Sequence, residues 1–63
     1  MQISSEQRAA LTACADSLKE LAGFARKIEM GQANPTEQRR ASELVKQARA
    51  ELTTCAEIIR AAE

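Results

Sequence analysis

Apolar residues recur along the first half of the chain at Leu11, Cys14, Leu18, Leu21, Ala25 and Ile28, alternately three and four residues apart. That alternation marks a helix packed lengthwise against another helix. The second half repeats it with Ala41, Val45, Ala48, Leu52, Cys55, Ile59 and Ala62. In heptads written a to g, Leu11, Leu18, Ala25, Val45, Leu52 and Ile59 take a. Cys14, Leu21, Ile28, Ala41, Ala48, Cys55 and Ala62 take d. The pattern predicts two helices joined along an a/d seam, with small d residues in the second helix admitting a close approach.

Between the two stripes lies Asn34-Pro35-Thr36-Glu37, through which a helix cannot run unbroken. Proline lacks an amide hydrogen and clashes with the preceding turn, so it belongs in the first turn of a helix. Asn34 before it is an N-cap, and Glu37 closes a capping box. Gly31 suits the left-handed position after a helix end. Ser4 and Gln7 form the corresponding cap of the first helix. The reading is a single all-α domain, an antiparallel two-helix hairpin: helix about 5–30, turn 31–34, helix about 35–62.

At 63 residues the chain is short for a self-sufficient core. Thirteen alanines and a single aromatic residue, Phe24, point to close packing through small side chains. The g positions supply a second apolar surface: Ala10, Ser17 and Phe24 from the first helix, Leu44, Glu51 and Ile58 from the second. Exposed together, Phe24, Leu44 and Ile58 would invite aggregation. Phe24, Leu44, Ile58, Ala10 and Ser17 are therefore expected to form the interface of a homo-oligomer, two hairpins making a four-helix bundle.

Nine basic and nine acidic residues cancel, so any preference for a charged partner rests on their placement. Seven of the nine cations fall on one side, at e and b: Arg8, Lys19, Arg26, Arg39, Lys46, Arg49 and Arg60. Glu29 and Glu63 are the acids beside them, while Glu6, Asp16, Glu20, Glu43 and Glu57 project from c and f. Lys19, Arg26, Arg39, Lys46 and Arg49 are candidates for holding an anionic partner. Pairing along each helix, as in Asp16 with Lys19 or Arg39 with Glu43, is the competing expectation. Thr12, Ala15, Ala22, Thr53 and Ala56 leave low ground where a phosphate could approach, but there is no aromatic platform for stacking bases.

The chain has no His, no paired carboxylates on an apolar face and no Gly-rich phosphate loop, so a non-enzyme without cofactor or metal is expected. Cys14 and Cys55 fall several residues out of step along the helix axes, beyond the ~7 Å Cα separation a disulfide tolerates. They are read as reduced packing residues. No apolar run approaches the ~20 residues of a membrane span. Gln2, Ser4, Ser5 and Glu6 stand where a signal peptide would be apolar, so no membrane association and a cytoplasmic location are expected.

A short chain, two helices, a tight turn and alternating small and large core layers resemble the Rop-type plasmid regulators. That resemblance implies a dimeric four-helix bundle and binding of paired RNA hairpins through one face, with no RNA-contacting residue carried over. The stretch from Cys55 to Glu63 resembles the ends of phage helical hairpins that sequester cyclic oligonucleotides, without their aromatic and histidine–proline features. The expected function is that of a small regulatory or inhibitor protein, a homodimer acting by protein–protein interaction. The alternative is binding of RNA or an anionic nucleotide on the basic face.

Overall fold

The computed structural model describes residues 2–62. Helix α1 spans Ser5–Glu29 and α2 spans Pro35–Ala62, and they pack against each other as a hairpin. Its Cα extents are 42 × 17 × 16 Å. The long dimension is that of α2 alone, whose 28 residues rise about 42 Å at 1.5 Å each.

Side chains and turn geometry satisfy the helix ends. At the start of α1, Ser4 Oγ accepts from the Gln7 amide at 3.1 Å, and the Ser4 amide donates to Gln7 Oε1 at 2.9 Å. At its end Gly31 takes φ 71°, where a Cβ would be strained. The Gly31 amide donates to the Ile28 carbonyl at 3.0 Å and the Gln32 amide to that of Lys27 at 2.9 Å. These two bonds define a Schellman motif and satisfy carbonyls the helix leaves free.

The start of α2 is capped reciprocally: the Glu37 amide donates to Asn34 Oδ1 at 2.8 Å, and the Asn34 amide to Glu37 Oε1 at 3.1 Å. Pro35 occupies the first helical position, where no amide is needed. The second oxygen of Glu37 accepts from Lys27 Nζ, tying the last turn of α1 to the first turn of α2.

The seam departs from the a/d expectation. Its buried residues are Cys14 and Ser17 of α1 with Ala41, Leu44, Ala48 and Ile58 of α2. Ala10, Leu21, Phe24, Glu51 and Cys55 are half-buried among them. These are d and g positions. The a residues Leu18, Leu52 and Ile59 remain 41%, 43% and 52% exposed, and Ile28, a d residue beside the turn, 44%. Both stripes contain d and both alternate by three and four, so spacing alone does not separate them. Phe24, Leu44 and Ile58 turn toward the inside of a single hairpin; of the a residues Leu11 and Val45 are half-buried, and Leu18, Ala25, Leu52 and Ile59 are left outside.

Candidate functional site

With d and g turned inward, the roughly 100° advance per residue fixes what flanks the seam. Positions a and e of both helices share one side of the hairpin, c and f share the other, and b lies at the outer margins. The a residues run next to the seam on the first side: Leu11, Leu18 and Ala25 from α1, Val45, Leu52 and Ile59 from α2. Beyond them at e stand Ala15, Ala22, Ser42 and Ala56, all exposed, with Arg8, Arg49 and Glu29. The result is an apolar side on which Leu11 and Val45 are half-buried while Leu18, Leu52 and Ile59 face water.

The five residues expected at an oligomer interface lie in or beside the hairpin's own seam. Leu44 is 1% exposed, and Ser17 and Ile58 are also buried within the chain. Ala10 and Phe24 are half-buried beside them. Ser17, Leu44 and Ile58 are closed off between the hairpin's own two helices, and Ala10 and Phe24 are partly covered there. The exposed large apolar residues of the helix flanks, Leu18, Leu52 and Ile59, lie on the a/e side.

The c/f side is polar and cross-linked. Gln47 Nε2 donates to Ser17 Oγ at 3.3 Å, and Arg40 pairs with Glu20 at 3.3 Å. With Lys27–Glu37, these are the two ion pairs among the described residues. Lys27 and Arg40 are the two cations that lie outside the basic set, so the paired and unpaired cations are sorted by side. Lys19, Arg26, Arg39, Lys46 and Arg49 are exposed and make no ion pair among the described residues. The anticipated pairings Asp16–Lys19 and Arg39–Glu43 do not form. Glu63, expected beside this set, lies outside the described residues.

The candidate cations are not gathered into one patch. Lys19 and Arg26 lie on the outer margin of α1, while Arg39 and Lys46 lie on the margin of α2. The apolar strip runs between the two rows. Arg49, at e, stands closer to that strip than the b residues do.

Inside the seam, Cys14 is buried and Cys55 half-buried, both as free thiols. Burial pushes the Cys14 thiol up from its ordinary range, and the Cys55 thiol and Glu51 carboxylate beside it push the same way. Glu51 has no counterpart in the sequence reading beyond its g position. It enters the seam half-buried, and its Oε1 is buried with no hydrogen-bond partner among the described residues.

Glu37 is held below the ordinary carboxylate value of 4.5, chiefly by the hydrogen bond from Lys27 and then by the Asn34 amide. No group of three or more His, Cys, Asp or Glu side chains suited to a metal ion occurs among the described residues. No helix there is long and apolar enough to cross a membrane. No family model, curated protein or solved structure matches the chain.

Proposed function

We propose that this chain is a small non-enzymatic binding protein that regulates or inhibits a partner by docking a helical protein surface on its a/e side. The observation that carries this reading is the exposure of Leu18, Leu52 and Ile59 on one side of the hairpin, apart from Ile28 and Met30, which are exposed near its turn. Large apolar residues clustered in that way mark an interaction surface. A helix laid along the strip would bury them and extend the two-helix layer toward a bundle. Two unbridged cysteines suit a reducing compartment, and the cytoplasm is the proposed location.

The test is a fluorescence-anisotropy titration with labelled amphipathic helical peptides, paired with light scattering of the protein alone. Leu52→Glu should abolish peptide binding, since it places a charge in a strip that must be desolvated. Its circular dichroism should stay that of the wild type, because Leu52 is outside the seam. If no amphipathic helix binds and the wild type does not associate with itself, the reading fails.

A second reading rests on a separate observation, the set of cations without ion pairs. Those cations could bind RNA or an anionic nucleotide by phosphate contacts alone. It ranks lower because the strip between the two rows is aliphatic, whereas nucleobases favour aromatic surfaces.

A further inference from the structure

The a/e side has chemistry enough to specify what covers it. Its centre is aliphatic, from Leu18, Leu52 and Ile59, and its outer rows are cationic, from Lys19 and Arg26 on α1 and Arg39, Lys46 and Arg49 on α2. Glu29 is the single described acid on that side. The cations are exposed and free of ion pairs, so no partner within the chain has to be displaced.

A second copy is a poor occupant. Turned face to face, two hairpins would bury their strips together but bring cationic rows against cationic rows along both margins. Like charges juxtaposed across an interface disfavour that pairing. A nucleic acid or an anionic lipid surface would satisfy the cations. A polynucleotide, however, would leave the aliphatic strip facing phosphate and ribose.

We infer that the a/e side is a docking surface for an acidic amphipathic helix of another protein, its apolar stripe on Leu18, Leu52 and Ile59 and its flanking carboxylates reaching the Lys and Arg rows. This rests on the proposed docking function and adds the chemistry of the partner. The division of labour follows general interface physics. The desolvated centre supplies affinity, and the charged rim supplies orientation and rate of encounter.

Three labelled amphipathic peptides sharing one leucine stripe, with Glu, Gln or Lys as flanking residues, test it in anisotropy titrations against the intact chain. The Glu-flanked peptide should bind at least about tenfold more tightly than the Lys-flanked one at about 0.1 M salt. The gap should close at about 1 M, where the screening length falls to ~3 Å. Lys46→Glu with Arg49→Glu should shrink the gap between the Glu-flanked and Lys-flanked peptides, since three of the five cations remain. Leu52→Glu should lose all three, with Leu18→Glu as a second variant of the same kind.

Equal affinity for all three peptides, lost in Leu52→Glu, would overturn the acidic-partner inference and leave docking intact. Failure of every peptide to bind, in a chain that also stays monomeric, would remove both. The inference also falls if a wild-type dimer excludes the Glu-flanked peptide at low salt. Tighter binding of an oligonucleotide or of phosphatidylserine vesicles than of that peptide, undiminished in Leu52→Glu, would overturn it as well.

Discussion

On one side of this hairpin the flanking residues of the two helices are partners; on the other they have none. Glu20 meets Arg40, Lys27 meets Glu37 and Gln47 meets Ser17 along the c/f side. Along the a/e side Leu18 and Leu52 face solvent, and the cations beyond them make no ion pair among the described residues. The same helices and the same heptads produce both sides. Formal neutrality therefore says little about how such a molecule presents itself to others, because its charges have been divided by position.

The sharpest way to test that division is to shorten one leucine inside the seam and one outside. Leu44→Ala should cost about 3 kcal/mol, the usual range for a fully buried leucine. In a chain of this size that is most of the available stability, so thermal unfolding by circular dichroism should show a largely unfolded variant at room temperature. Leu52→Ala should cost about 1 kcal/mol at most, because much of its side chain is already wet. Equal losses would mean that the a residues, too, are covered in the free protein.

Glu51→Leu should act in the opposite direction. It removes a buried carboxylate oxygen that has no hydrogen-bond partner and puts methyl groups in its place. A gain of roughly 1–2 kcal/mol follows, read as a rise of several degrees in the unfolding midpoint. A drop instead would show that Glu51 makes contacts inside the seam worth more than its unpartnered oxygen costs.

The smallest expected effect belongs to the polar side and depends on pH. The Glu37 carboxyl titrates lower in the folded chain than its ordinary 4.5, so its stabilising contribution is complete above that value. It is lost as pH falls through the depressed folded value, because the unfolded chain binds the proton first. Between about pH 5 and pH 3 the wild type should lose more of its unfolding midpoint than Glu37→Gln, which begins lower at neutral pH. Parallel curves would remove Glu37 as a contributor to acid sensitivity.

The helices, both capping boxes and the glycine turn were legible in the sequence because each is decided within a few neighbouring residues. Ser4 with Gln7 and Asn34 with Glu37 form the bonds their spacing implies. The seam was misjudged because a/d and d/g are equally periodic and share Cys14, Leu21, Ala41, Ala48 and Cys55. What separates them is a relation between helices. Placing g inside brings Glu20 toward Arg40 and Lys27 toward Glu37, and it closes Phe24, Leu44 and Ile58 around the small d residues. Placing a inside would set cationic rows beside each other. Cross-helix charge complementarity was present in the sequence and would have favoured d/g. The same ambiguity hides the exposed a strip, whereas the cationic positions are readable from residue type and spacing alone, and only their division into two rows depends on the seam.

The turn has a consequence for the order in which the molecule assembles. Gly31, the Asn34–Glu37 cap and the Lys27–Glu37 link all act between residues close in sequence, so the loop they close costs little entropy. Chains rich in such short-range closures fold quickly, and here the two helices would join from the turn outward like a zipper. Cys14 and Cys55 lie toward the end that closes last and opens first. Their thiols would then report fraying of the open end, while the residues beside Gly31 still hold the two helices together.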